Sequence, residues 1–479
     1  MSYRIRKCSN HHKKRESSSC ERDCQNVIDL INTKFPCTAP FPISFVPFII
    51  ALPGEYCLIQ DLTYTGNGAA ITVLADNVTI NFENHRLNLT DILAKGIRAD
   101  NVDNITINQA DIRLPQDVRS FDVSSSAIFL NGVSHGLING GYFLHTGVAV
   151  ALNDSNDIKL LNVFSEDMGQ SHHTIVGTNG VVIDGAVSTN LVNDLLLGGI
   201  FVDEARNFVF KNSQLINVDI FLLSGVGFII ENIENIIDDP NYTFTNFQLG
   251  STEIPVASDV RVSNSIFRRD NAQVASNLTS FGGFNGVIIE DSILEYNYTG
   301  DPVNNFAGIF NIVPNIADAN NIVIRNNIGR GNAFNAVFIG NFTGTSIANS
   351  ILIENNQLSG SSDDAIFVAQ ANNWVIAKNQ ITGAANNGIN VDSDATNGAI
   401  LKNVITGNAG NGIFLNAGIE NNLVQNNKVF GNGGGIVDNG TNVVENNTVF
   451  NNLLLAAAKT KKSAKIVKSG GRRIRKSKK

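Results

Sequence analysis

The sequence predicts an all-β chain wound into a single right-handed parallel β-helix of about fifteen coils, with short capping elements and disordered basic tails. Three observations predict it. A phrase of two apolar residues, a polar residue and Asn recurs along the chain. It recurs at a mean spacing of about 26 residues, enough for three short strands and three turns. Asn also fills one phase of that repeat in successive copies. A length of 479 residues would otherwise imply several domains, but a solenoid adds length without adding domains.

The phrase reads Val323-Ile324-Arg325-Asn326-Asn327 and then Leu352-Ile353-Glu354-Asn355-Asn356. It returns around Ile376, Ile400, Val424 and Val444. With the second apolar residue as anchor, the steps are 29, 23, 24, 24 and 20 residues. Weaker copies carry the anchor back through Ile289, Val262, Ile230, Phe210, Ile183, Leu160, Ile138, Ile107 and Ile80. Two further apolar positions keep phase: Leu358, Ile381, Ile405, Val429 and Val449, and then Ile366, Ile389, Ile413 and Ile436. Three inward strands per coil follow, separated by Gly and Asn that supply positive-φ turns. Asn327, Asn356, Asn379, Asn403, Asn427 and Asn447 share one phase. Stacked at about 4.8 Å, their amides are expected to hydrogen-bond from coil to coil.

Composition agrees. Hydrophobic residues make up 43% and charged residues 16%, with 42 Gly and only 2 Met, a balance that suits β structure with tight turns. The net charge of −8 conceals a partition. Residues 459–479 carry eleven Lys or Arg and no acid, and residues 1–24 carry seven against three acids. The tails together hold +15, which leaves −23 on the body. The expected organisation is 1–45 as a basic, Cys-containing tail and cap, 46–452 as the β-helix, and 453–479 as a short cap and disordered basic tail. Val27–Ile31 and Leu453–Ala458 are the candidate capping segments.

All five cysteines fall early, at Cys8, Cys20, Cys24, Cys37 and Cys57. Cys20 and Cys24 with His11 and His12 permit a loose zinc site, against the plainer reading of free thiols and one or two disulfides. No apolar core of a secretory signal follows the basic start, and the run Ile43–Leu52 is too short to span a bilayer. Both point to a cytoplasmic or virion location without a transmembrane segment.

The stretch Pro53-Gly54-Glu55-Tyr56-Cys57-Leu58-Ile59-Gln60-Asp61-Leu62, followed by Asp76-Asn77-Val78-Thr79-Ile80-Asn81-Phe82, resembles the opening of right-handed parallel β-helix domains of the pectate-lyase-like superfamily. The resemblance covers about 53–452 and implies fold far more than function, because lyases, hydrolases, epimerases and virus fibre proteins share it. Ser362-Asp363-Asp364-Ala365-Ile366 is similar to the paired-Asp motif of polygalacturonases. Where the accompanying Gly-His-Gly segment is expected, about a coil later, stands Asn387-Gly388-Ile389-Asn390, and the Arg-x-Lys element is missing. The lyases' calcium site needs converging carboxylates. Asp203 with Glu204, and Asp392 with Asp394, lie many coils apart.

Four of the seven histidines cluster at His135, His145, His172 and His173, near Glu166 and Asp167. Aligning Val148 with Ile175 places His145 and His172 in the same corner of adjacent coils, where imidazoles would share a metal or a proton. His145, His172, His173, Glu166 and Asp167 are therefore the candidate catalytic set, with Asp363 and Asp364 as the alternative. The plain alternative is that these are turn residues. No cofactor is identifiable, and the identity of any metal is open. The basic 459–479 segment suits an anionic partner such as nucleic acid, and without interleaved aromatics it carries no base-stacking signal. The reading that follows is a structural or binding β-helix, a virion or surface-assembly component that engages glycan or anionic partners and forms a homo-oligomer. The alternative is a lyase, hydrolase or epimerase acting on an acidic polysaccharide.

Overall fold

The computed structural model describes residues 41–452, apart from 116–119, 121–124, 191–198, 241, 243–244, 251–256, 274–276, 278, 282–283, 301–306, 315–317 and 341–345. The candidate zinc ligands, both capping segments and the basic 459–479 segment lie outside the described residues. Cys57 is fully buried and disulfide-bonded.

Every strand pairing is parallel, and the strands form two sheets of 28 and 16 members. The 16-stranded sheet takes one strand from each coil. The larger sheet takes two segments per coil, joined at a bend. In early coils the two segments run as one long strand, such as Asp103–Arg113, Ser134–Leu144 and Asn156–Glu166. In later coils they separate, as in Ala371–Ala377 and Gln380–Thr382. The bend needs a left-handed residue, and Gln109, Gly140, Asn162, Asn212, Asn326, Asn355 and Asn426 all have positive φ there. Gly and Asn are the residues that reach this conformation at least cost, which is why the bend is written in Asn. Among the described residues there is no helix, and none is long and apolar enough to cross a membrane.

The sequence anchors form one unbroken register. Ile80 pairs with Ile107, Ile107 with Ile138 and Ile138 with Leu160, and the column continues through Phe210 and Ile324 to Val444. The second column runs Leu358, Ile381, Ile405, Val429, Val449 and the third Ile366, Ile389, Ile413, Ile436. Apart from Val444 and Val449 in the last coil, these side chains fill one continuous core along the axis. Each coil covers the apolar face of the one before it, so burial and repeat are the same fact.

The Asn column is a buried ladder at the bend. Asn403 donates its backbone N–H and its Nδ2 to Asn427 Oδ1 at 2.9 and 3.0 Å, and its Nδ2 also reaches Ile376 O at 2.8 Å. Its own Oδ1 accepts the same pair from Asn379. Toward the N-terminus the ladder passes to hydroxyls: Ser265 N donates to Ser292 Oγ, and Ser292 N to Asn327 Oδ1. A second ladder, Asn408–Asn432–Asn452, does the same at the next corner. A buried polar group left unpaired would cost about 1–3 kcal/mol, and stacking removes that cost at every rung.

Candidate functional site

Beyond the bend, alternate residues of the larger sheet face outward, and in the early coils these side chains form a connected network. Asp111 pairs with Tyr142 and Tyr142 with Phe164 in register; the neighbouring outward column is Arg113, Leu144 and Glu166. Arg113 grips Asp111 with two hydrogen bonds, Nε to Oδ1 at 2.5 Å and Nη2 to Oδ2 at 2.8 Å. Arg86 reaches the same carboxylate from the coil before, at 3.4 Å. The Arg113 guanidinium lies 4.4 Å from the centre of the Tyr142 ring, a cation–π contact. Tyr142 stacks on Phe164 at 5.0 Å and 10°, and its hydroxyl donates to Glu166 Oε2 at 2.7 Å. Burial and the Glu166 carboxylate push the Tyr142 hydroxyl well above its usual range, so it remains a donor.

Beside this network is a cavity of about 460 Å³ lined by Asn88, Thr90, Arg113, Pro115, Leu144 and His145. It combines aliphatic surface with an amide, a hydroxyl, a guanidinium and an imidazole, a mixture suited to a polyhydroxylated ligand. His145 sits at its edge in a left-handed conformation (φ 61°) and is almost buried. Its Nδ1 faces Leu114 O at 3.1 Å, and its Nε2 is 3.8 Å from Asp167 Oδ2.

The structure therefore places the histidine set in three different environments. The expected alignment of Val148 with Ile175 is corrected: Val148 pairs with Ser171, and Leu152 with Ile175. The corner between the strands Asn156–Glu166 and Ser171–Val176 takes up the difference. The neighbour of His145 in the next coil is accordingly Asp167, not His172. His172 is sealed inside, its Nδ1 2.8 Å from Ser165 Oγ and its Nε2 3.1 Å from Asn190 Oδ1. Because Asn190 Oδ1 only accepts, Nε2 carries the proton and Nδ1 accepts from Ser165. His173 occupies the core column between Val150 and Ile200. It is fully buried, neither ring nitrogen has a hydrogen-bond partner, and burial lowers its pKa to about 4. Of the sequence candidates, His145, Asp167 and Glu166 lie at or beside the groove, while His172 and His173 lie within the solenoid. Among the described residues no group of three or more His, Cys, Asp or Glu is arranged to hold a metal.

Asp363 and Asp364 lie seven coils from Glu166, counted along the column Thr189, Ile216, Ile236, Arg268, Glu295, Arg330, Ser359. Asp364 heads a third ladder: Asn387 donates N–H and Nδ2 to its Oδ1, and Asn390 donates to its Oδ2 at 2.7 Å. Burial pushes its carboxyl up despite those donors. Asp363 accepts from Asn386 Nδ2 at 3.1 Å.

Sequence reasoning missed Asp111, Arg113, Tyr142 and Phe164. Their signal was the period-two pattern Asp111-x-Arg113, Tyr142-x-Leu144 and Phe164-x-Glu166, one outward pair per coil after the bend.

Comparison with known proteins agrees with this architecture. Residues 304–452 match the model of the right-handed beta helix region. No curated protein matches the chain at a significant level. Among solved structures, a double mutant of the tailspike protein of E. coli bacteriophage HK620 in complex with a pentasaccharide is similar. It has 12% identity, coverage of 78% of this chain and 72% of that chain, and a TM-score of 0.51. A single mutant of the same tailspike, also with a pentasaccharide, gives 11%, the same coverage and a TM-score of 0.50. At such identities the likeness is one of fold, and the fold of this chain is the right-handed parallel β-helix.

Proposed function

We propose that this chain is a glycan-binding β-helix protein of a virion or surface assembly, and that the saccharide lies in the groove beside Arg113, Tyr142, Phe164 and Glu166. The observation that carries the reading is the outward network itself. An apolar cavity wall adjoins side chains held rigid by stacking and by bidentate ion pairing, which lowers the ordering cost of binding. The fold it shares with tailspikes crystallised with a pentasaccharide is compatible with that use. The charge balance favours a neutral or zwitterionic glycan. Arg86 and Arg113 are already paired with Asp111; Glu166 and Asp167 add two further acids, and the body carries −23 overall, which repels polyanions.

The enzymatic alternative draws on Asp111 and Glu166, which are two coils, or about 10 Å, apart along the axis, near the separation that inverting glycosidases use. Binding suits them better. Asp111 is already gripped by Arg113, and Glu166 already accepts from Tyr142. An array of neutral and acidic oligosaccharides, followed by product analysis on every ligand retained, tests both readings. Retention of neutral oligosaccharides without cleavage is the expected outcome. Cleavage lost on Glu166→Gln would replace the binding reading with the enzymatic one.

A further inference from the structure

We propose that the apolar segment 453–458, Leu-Leu-Leu-Ala-Ala-Ala, covers the open C-terminal end of the solenoid and so fixes the basic segment 459–479 at that end. The last coil presents its interior to solvent. Val444 and Val449 are 40% and 46% exposed, whereas Val424 and Val429, one coil earlier in the same columns, are 0%. At the opposite end the inward residues of the first coil, Ile43 and Ile50, are fully buried. The strands Gly434–Asp438, Thr441–Glu445 and Thr448–Phe450 each pair with one preceding strand among the described residues, so their outer edges are available for association.

The occupant follows from where the chain goes. It leaves the last rung at Asn452, a buried ladder residue whose Nδ2 holds Val429 O at 3.1 Å. That corner borders the exposed Val449. The next six residues are wholly apolar and are strong helix formers. As a helix they would span about 9 Å, close to the roughly 10 Å that separates facing sheets. A plug of that size covers the bare valines without adding a coil. Beyond it come eleven basic residues and no acid, with too little apolar surface to offset their ordering, so they belong in solvent. The cap would thus separate a −23 body from a positively charged end.

Hydrogen exchange of the amides in 434–450 tests the proposal in four proteins: the full chain, a chain ending at Ala458, a chain ending at Asn452, and the full chain carrying Leu453→Asp, Leu454→Asp and Leu455→Asp. The first two should protect these strands equally. The last two should exchange there about tenfold faster or more, with the strands of 348–382 unchanged. Sedimentation alongside should show the chain ending at Asn452 associating through its bared edge. Three results would overturn the proposal. Exchange could be equal in all four proteins. Protection could already be lost on removing 459–479. Protection in the full chain could rise with concentration, which would make a second copy the cover.

Discussion

The coils from Ile324 to Asn452 and those from Arg86 to Tyr296 share one fold but treat buried polarity in opposite ways. In the later coils most buried Asn residues meet a copy one rung away, in three parallel ladders whose rungs satisfy one another. In the earlier coils only short serine pairs repeat, Ser165 with Ser188 and Ser265 with Ser292, and the large buried polar residues have no copies. His173 sits alone in a column of aliphatic residues, His172 threads between Ser165 and Asn190, and Arg269 is fully buried and donates to Tyr242 O. Asp219 is fully buried as well, and burial pushes its carboxyl up to about 7. The outward face follows the same division, because the Arg113–Tyr142–Phe164–Glu166 network belongs to the aperiodic half. The regular half is built for length and stability. The irregular half carries costs that a purely structural rod would have no reason to keep.

The largest expected effects come from those costs and appear as pH dependence. The folded pKa of His173 is depressed from 6.5 to about 4. The unfolded chain therefore takes up a proton below 6.5 that the folded chain refuses, and stability falls as the pH drops from 6.5 to about 4. Two and a half units correspond to about 3 kcal/mol. His173→Val should remove that slope in denaturant unfolding at pH 4–7, and an unchanged slope would mean the imidazole is solvated. Asp219 acts in the other direction. Its folded pKa is raised from 3.8 to about 7, so its contribution is complete below 3.8 and is lost as the pH rises through 7. Asp219→Asn should remove the loss of stability that this carboxyl causes as the pH rises from 3.8 to about 7, with no change of slope above it.

Next in size is the ladder. Asn403→Ala removes a rung that both gives and takes two hydrogen bonds, and should cost about 1–3 kcal/mol by thermal or denaturant unfolding. A neutral result would show that neighbouring rungs recruit water. The smallest effect on the rod is expected from deleting 459–479. Thermal unfolding should hardly move, while binding to anionic vesicles or nucleic acid should lose its steep salt dependence. A truncated chain that keeps that binding would place the anion site elsewhere.

How much could be read in advance divides along the same line. The anchor column from Ile80 to Val444, the two companion columns and the Asn ladder were legible because each residue's role repeats a coil later, and repetition fixes register. The site was not. The alignment of Val148 with Ile175 was out by four residues, since the pairing is Val148 with Ser171. A corner of variable length carries no periodic signal. Tyr142 and Phe164 were not singled out, because an outward aromatic and an inward one look the same until the bend at Gly140 and Asn162 sets the phase. His172 and His173 stood out because four of the seven histidines cluster here beside Glu166 and Asp167, and clustering in sequence does not distinguish an outward imidazole from one inside the solenoid.

Calorimetric titration of a neutral oligosaccharide selected on the array tests most directly whether function lies in the aperiodic half. The proteins to compare are the unmodified chain, Arg113→Ala, Phe164→Ala and Asp363→Ala. Arg113→Ala and Phe164→Ala should each weaken binding by about tenfold or more, roughly 1.4 kcal/mol, at unchanged folding, and Asp363→Ala should bind as the unmodified chain does. Full affinity in the first two with loss in Asp363→Ala would move the site to the regular coils and contradict the account.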